Sequence, residues 1–252
     1  MEIHGLDSKY TSTGTYIVAF IDVLGTTKKV LKNTQDALEE LWMLNHDIFK
    51  VAAEYDKKYG KECVIRSFSD NYLLALETSN ETMLKDIEHI FNIVGNVFNF
   101  CLRMHGILLR GAIEIGELHI DENIVLGKAL IDAYQTETKM AIYPRIIVSD
   151  HLIRMLHSDV ENFCAVYDLT KPIFQDFDML WCLNPLLFCA ETTEKRSISS
   201  FQVGMATLFY KARKDNDKKV LTKLKWLINY VNQYYTQNEG VILLDSKEID
   251  IT

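Results

Sequence analysis

Residues 16–25 read Tyr16-Ile17-Val18-Ala19-Phe20-Ile21-Asp22-Val23-Leu24-Gly25, and residues 63–76 read Cys63-Val64-Ile65-Arg66-Ser67-Phe68-Ser69-Asp70-Asn71-Tyr72-Leu73-Leu74-Ala75-Leu76. The first is an apolar run rich in β-branched side chains that stops at a glycine, which predicts a buried strand with one acid, Asp22, near its end. The second holds two short apolar runs, 63–68 and 72–76, parted only by Ser69-Asp70-Asn71. Those small polar residues suit a tight hairpin turn, so Asp70 falls at a hairpin tip.

Between the two stretches the spacing of Leu38, Leu41, Trp42, Asn45, Ile48 and Phe49 predicts a long amphipathic helix stopped by Gly60. A second helix over 83–104 repeats the period through Ile87, Ile90, Phe91, Val94, Val97, Phe98 and Cys101, and Gly106 ends it before a strand over 107–115. The order β-α-β-β-α-β is that of a ferredoxin-like palm, an antiparallel sheet backed by two helices on one face. Beyond Gly116 the pattern predicts a helix over 128–142, a strand over 145–148, a short helix over 150–156, and strands over 163–169 and 179–183. From Ser197 the texture turns helical, with 201–214 and 221–235 separated by Asp215-Asn216-Asp217, and with Leu224, Leu227, Ile228, Val231 and Tyr235 on one stripe. The fold class read from this is α+β: a palm with additional strands over 1–190, and a C-terminal helical hairpin over 191–252 packed on the same unit.

With 48% apolar residues in 252, the chain can bury one substantial core. A net charge of −8 and the lack of a basic patch speak against nucleic acid as a partner. No apolar run reaches the roughly 20 residues needed to span a bilayer, and Met1-Glu2-Ile3-His4 opens no secretory apolar segment, so no membrane partner is expected. Cys63, Cys101, Cys164, Cys182 and Cys189 sit in apolar surroundings without metal-ligand spacing, as reduced thiols of a cytoplasmic protein would. Zinc-protease, Walker and dinucleotide motifs and nucleophile elbows are all missing from the sequence.

The chemistry that remains is in the carboxylates. In a βαββαβ sheet the first strand lies beside the hairpin, so Asp22 and Asp70 can converge at one sheet edge. Oxygen ligands there, with the backbone carbonyl of Ile21, suit two Mg²⁺ or Mn²⁺ ions that activate a ribose 3′-hydroxyl and neutralise a triphosphate. Gly25, Thr26 and Thr27 open a helix whose free backbone N–H groups favour phosphate oxygens. Taken singly, an acid at a strand end or in such a turn is most often a cap or turn former.

These residues resemble a known family. Phe20-Ile21-Asp22-Val23-Leu24-Gly25 and Ser67-Phe68-Ser69-Asp70 look like the two metal motifs of class III nucleotidyl cyclases. The stretches 109–116, 126–137 and 143–149 are similar to their Arg-Gly strand, dimer-facing helix and following strand. Phe68-Ser69-Asp70, Ala133-Tyr134, Tyr143-Pro144-Arg145-Ile146 and Lys223-Leu224-Lys225-Trp226-Leu227 resemble, more narrowly, the pyrimidine cyclases of the Pycsar antiphage system. The resemblance implies a homodimer with composite active sites, two metal ions per site, UTP or CTP as substrate, and a separate effector activated by the cyclic nucleotide. Arg66, four before Asp70, stands at the position that helps choose the base, and Ile124, three before Gly127, at its competitor. Arginine offers only donors in a fork, which suits the O2 and O4 carbonyls of uracil better than cytosine, with its single carbonyl, or adenine, with none.

The chain departs from the family where an Asn and an Arg are usual on the dimer-facing helix: it has Ile131 and Gln135. Lys128, Tyr134 and Lys139 are the possible substitutes, and Asp176-Phe177-Asp178 stands where a glycine-flanked lysine is usual. Arg110 is expected to pair with Glu114 or Asp132. The alternative to an active cyclase is therefore a palm that binds nucleotide as a regulatory module without turnover.

Overall fold

The computed structural model describes residues 12–156, 159–166, 168–188 and 194–239. Its centre is β1 (Gly14–Val23), the apolar run that ends in Asp22, whose Ile17, Val18 and Ala19 are wholly buried. A strand this apolar needs neighbours on both edges and cover on both faces. The edges are supplied by β3 (Asn71–Glu77) and β4 (Leu109–Ile120), both antiparallel to it, with β2 (Val64–Phe68) outside β3. The order β2-β3-β1-β4 is that of the ferredoxin-like palm.

The sheet continues past β4 with β6 (Ile146–Val148), which runs parallel to it, then β9 (Trp181–Leu183), β8 (Ile173–Gln175) and β7 (Cys164–Val166). A two-residue strand, β5 (Val125–Leu126), folds back on the end of β4. The strand expected over 163–169 shrinks to β7, and β5 and β8 were not legible because two or three residues show no periodicity. The fourth strand runs on to Ile120 rather than ending near Ile115, since Gly116 and Glu117 keep pairing with β1.

On one face lie α1 (Thr26–Lys32), α2 (Thr34–Tyr59) and α3 (Met83–Phe100). The single expected helix is split because Asn33 is extended, and its Oδ1 caps α2 by accepting from the Gln35 N–H at 3.0 Å. Gly60 ends α2 in the left-handed conformation, as does Gly106 after a short π-helical segment at Cys101–His105. The buried stripe of α2 is Ala37, Leu44, Ile48 and Ala52. Leu38, Trp42 and Phe49, read from spacing as core, are 58%, 69% and 46% exposed. A period of 3.6 admits two adjacent stripes on this helix, and the one that carries the alanines is the one that packs.

The opposite face is not bare, as a two-helix palm would leave it. There α4 (Lys128–Met140) seats Ala129 and Ala133 against Val18, Leu73, Ala75 and Leu118. Two short helices, α5 (Asp150–Met155) and α6 (Val160–Phe163), follow β6. The chain closes with α7 (Glu194–Lys214) and α8 (Lys218–Glu239), the former longer than its apolar period suggested. Leu221, Leu224, Leu227, Ile228, Val231 and Tyr235 of α8 join the same cluster as the sheet core.

Two aromatic residues of α8, Trp226 and Tyr230, find their partners there. Trp226 stacks on Tyr143 at 5.6 Å and on Tyr230 at 5.5 Å, and Tyr230 in turn stacks on Phe174. Asp176 and Asp178, in the β8–β9 turn, clasp the buried guanidinium of Arg145, and Trp226 Nε1–H donates to Asp176 Oδ2 at 3.0 Å. The residues that stand in place of a glycine-flanked lysine thus tie the outer strands to α8.

Cys63, Cys101, Cys164 and Cys182 are free and buried, and burial pushes their thiols up, that of Cys164 to about 11. Cys189 lies outside the described residues. Among the described residues no helix is long and apolar enough to cross a membrane.

Candidate active site

The pleat puts alternate residues of each strand on one face, and the strand registers then define rows across the sheet. One row is Phe68, Asn71, Asp22, Arg110; the next is Arg66, Leu73, Phe20, Ala112. Both lie on the face that α4 covers, where Phe20 packs with Leu73 and Ala133. Asp22 and Arg66 therefore share one surface, one row apart.

The hairpin expected around Asp70 is a two-residue loop, since Phe68 pairs with Asn71. Ser69 takes φ 58°, the positive sign that such a loop requires and that a residue with a Cβ adopts at a cost of about 1 kcal/mol. The loop is held against β1: Val23 N–H donates to the Asp70 carbonyl at 3.1 Å. Asp70's carboxylate is partly exposed and receives only a 3.4 Å contact from Asn71 Nδ2.

Asp22 is better held. Burial raises its carboxyl pKa, Arg110's hydrogen bond and charge pull it down, and the negative charge of Asp70 raises it again. The last effect is the electrostatic sign of two carboxylates that face one space. Arg110 Nε lies 2.8 Å from Asp22 Oδ2 and 2.9 Å from Glu137 Oε1. Its single Nε hydrogen goes to Asp22, so Glu137, almost fully buried on α4, has charge contact without that bond. Burial raises the Glu137 carboxyl in consequence.

The expected partners of Arg110 are engaged elsewhere. Glu114 accepts from Ser149 Oγ at 2.6 Å and from the Ile115 N–H at 2.9 Å, while Asp132 pairs with Lys128. Register explains this: Asp22 lies directly opposite Arg110, and Glu114 lies opposite Val18.

Gly111 lets β1 and β4 close at this point. A Cβ on it would stand 2.5 Å from the Phe20 carbonyl oxygen and 3.2 Å from Ile21 Cα. Gly111→Ala is expected to cost about 1–3 kcal/mol, because backbone rather than a flexible side chain must give way. Chemical denaturation of the variant checks it, and a loss within 0.5 kcal/mol would show that the strands have slack here.

After Asp22, Gly25 takes φ 91° at the head of α1. The Thr26 hydroxyl is turned inward and donates to the Val23 carbonyl at 3.1 Å, while Thr27 is exposed. The first-turn N–H groups of α1 have no intrahelical partner, so a phosphate there would meet backbone rather than the Thr26 side chain.

Arg66 Nη2 donates to the Asp121 carbonyl at 3.0 Å, and Nη1 donates to that of Ile65. Asp121 Oδ1 accepts from the Ile124 N–H at 2.7 Å, so Arg66 and Ile124 are gathered at one loop. On α4 the ring of Tyr134 meets Phe20 edge to face at 5.6 Å. Gln135 is exposed and accepts from Lys139, and Lys128 reaches Asp132, so neither lysine is drawn toward Asp22.

One residue at the site had no assigned part in the sequence reading. Lys223, on the first turns of α8, exchanges electrostatic influence with Asp22, Arg110 and Glu137. Nothing local in the sequence marks it, since it is one of several lysines on an amphipathic helix some 200 positions from Asp22.

A divalent metal fits the donors present, judged by their chemistry. With one Asp22 oxygen held by Arg110, Asp22 Oδ1 and the Asp70 carboxylate remain, an oxygen-only set that suits Mg²⁺ or Mn²⁺ rather than zinc. Among the described residues no group of three or more His, Cys, Asp or Glu gathers to hold a metal alone. The remaining ligands would come from substrate, backbone and water, as is usual for Mg²⁺.

No protein-family model matches the chain, and no curated protein matches it. Among solved structures it is similar to the dimeric guanylyl cyclase domain of the RhoGC fusion protein from the aquatic fungus Blastocladiella emersonii, with 15% identity over 68% of this chain and 96% of that one and a TM-score of 0.47. It is also similar to the guanylate cyclase domain of RhGC from Catenaria anguillulae in complex with GTP, with 14% identity over 59% of this chain and 85% of that one and a TM-score of 0.41. A third likeness is to the adenylyl cyclase CyaB from P. aeruginosa, with 14% identity over 57% and 81% and a TM-score of 0.43.

Proposed function

We propose that this chain is a nucleotidyl cyclase that converts UTP, and CTP less readily, to the 3′,5′-cyclic monophosphate with release of diphosphate. The observation that carries the reading is the junction of Asp22 and Asp70: separate elements, joined by the Val23–Asp70 backbone bond, with the negative charge of Asp70 felt at Asp22. Held there, Mg²⁺ or Mn²⁺ supplies acidity to the ribose 3′-hydroxyl and neutralises the triphosphate. Arg110 fixes the Asp22 carboxylate in one orientation from the neighbouring strand. The free backbone N–H groups after Gly25, those of Thr26 and Thr27 among them, receive phosphate oxygens, and the Ile21 carbonyl is a further oxygen ligand.

Base choice rests on Arg66. Two of its donors hold backbone carbonyls, and the remaining N–H groups suit the O2 and O4 acceptors of uracil. Equimolar ATP, GTP, CTP and UTP with Mn²⁺, followed by mass analysis, tests the assignment. Cyclic UMP is the expected main product, and cyclic AMP as the main product would refute it.

A homodimer is part of the same reading. Ile131, Tyr134, Ile142, Leu126 and Phe68 leave 48–83% of their surfaces exposed around α4 and the hairpin, an apolar rim beside the site. The family resemblance implies that Lys128, Tyr134 and Gln135 of one protomer act in the site of its partner. Ile131→Glu is expected to halve the mass seen by light scattering and to abolish turnover, and a variant that stays dimeric would remove α4 from the interface. The cyclic nucleotide then serves as a second messenger for a separate effector in antiphage defence.

A second reading, nucleotide binding without turnover, is favoured by one feature: α4 presents Ile131 and Gln135 to solvent, with Lys128 and Lys139 already bonded. Metal-dependent UTP binding without product would support it.

A further inference from the structure

We propose that the cleft between α2, α7 and the π-helical segment at Cys101–His105 is a binding site for a small phosphate monoester with an apolar body. The cleft lies on the side of the sheet that α1, α2 and α3 cover, whereas the Asp22 row faces α4, so the inference stands apart from the cyclase reading. Its volume is about 560 Å³, which suits a small organic molecule better than a bare ion.

Helical spacing builds one wall. On α7, Met205, Phe209 and Ala212 are buried in the core, and the adjacent stripe of Gly204, Thr207, Leu208 and Lys211 lines the cleft. Gly204 allows a close approach, since a Cβ there would stand 3.4 Å from the Leu102 carbonyl oxygen. The π-helical segment builds another wall: Cys101 and Leu102 point into the core, Arg103 and Met104 line the cleft, and the chain turns away at Gly106 with φ 60°. Such widened turns are frequent at functional sites. Lys29 of α1 and Glu40 of α2 complete the lining.

The charges of the lining do not cancel. Lys29 pairs with Glu40, the one acid in the cleft, and His105 Nε2 lies 2.9 Å from Asp47 Oδ2 outside it. Arg103 and Lys211 remain, and neither makes an ion pair among the described residues. Arg103 Nε is also shut off from solvent without a hydrogen-bond partner, a state that an acceptor in the cleft would relieve. Two cations from separate elements, one a planar fork and the other a point charge with three donors, match a phosphate dianion in both charge and number of acceptors. A carboxylate would answer only one of them. Beside them Met104 and Leu208 offer apolar surface, and Gly106 and Gly204 leave room, for the body of the ligand.

The test titrates the full chain with 1-naphthyl phosphate, followed by calorimetry, with EDTA present so that no metal ion draws the probe to Asp22 and Asp70. The wild type is expected to bind the ester, and to bind 1-naphthol at least tenfold more weakly. Lys211→Met and Arg103→Met should each weaken binding of the ester at least fivefold, Lys211→Arg should stay within twofold of the wild type, and Lys214→Met, an exposed lysine of the same helix, should match it. Lys211 is itself exposed, so its replacement keeps the fold and decides the matter even where Arg103→Met fails to fold. A wild type that does not bind the ester, equal affinity for 1-naphthol, or undiminished affinity in Lys211→Met overturns the proposal, and each of these leaves the cyclase reading standing.

Discussion

Asp70→Ala is expected to lower cyclic nucleotide formation by about 10³-fold or more while unfolding free energy changes by less than about 1 kcal/mol. The two numbers separate because Asp70 serves the fold and the site through different atoms. Its carbonyl takes the Val23 N–H, and alanine keeps that bond. Its carboxylate is partly exposed, with one long contact to Asn71, so little is lost by its removal from the fold. Loss of a metal-binding carboxylate, by contrast, removes several kcal/mol of transition-state stabilisation, and 10³-fold corresponds to about 4 kcal/mol. Asp22 does not separate so cleanly. Asp22→Ala leaves Arg110 with only Glu137 and should lower both activity and stability, so Asp22→Asn is the better variant. Single-turnover product analysis beside thermal unfolding checks the pair, and Asp70→Ala with more than a tenth of wild-type activity would contradict the assignment.

Arg145→Met is expected to destabilise the protein by about 3–5 kcal/mol, which for a chain of this size is a fall of roughly 10 °C in Tm. The guanidinium is nearly inaccessible, and its hydrogen bonds and charge contacts with Asp178 and Asp176 keep it charged against the strong desolvation that opposes this. Methionine fills much of the volume but leaves two carboxylates without a counter-charge, one of them almost fully buried. The loss should spread, because Asp176 also holds Trp226, and Trp226 seats α8 on Tyr143. Arg145→Met combined with Asp176→Asn and Asp178→Asn should recover part of the loss by removing the stranded charges. A single variant within 1 kcal/mol of wild type would show that the stacked rings alone hold α8.

Much of the palm was legible because its strands and helices are long and regularly patterned. β1 announces itself by a long apolar run, and α2 and the π-helical segment that follows α3 end at glycines that adopt the left-handed conformation. The stripe on α2 was misread because Leu38, Trp42 and Phe49 are more apolar than the alanines that pack, and hydrophobicity alone cannot weigh close approach against size. β5 and β8 escaped because so few residues carry no period, and their pairing depends on strands distant in sequence. At the site, Asp22 and Asp70 could be placed together from topology alone. The Arg110 contact could not, since it depends on which residue of β4 falls opposite Asp22, a register that the sequence leaves open by one or more positions. Glu137 and Lys223 were out of reach for another reason: α4 and α8 arrive at the site through tertiary packing, and neither carries a local motif for it.

The central claim is that Asp22 and Asp70 form one metal-dependent triphosphate site. Calorimetric titration of UTP with and without Mn²⁺, on the wild type and on Asp22→Asn and Asp70→Ala, tests it most directly. Binding that requires Mn²⁺ and is lost in both variants is the predicted result; UTP binding indifferent to Mn²⁺, or retained in both variants, would contradict it.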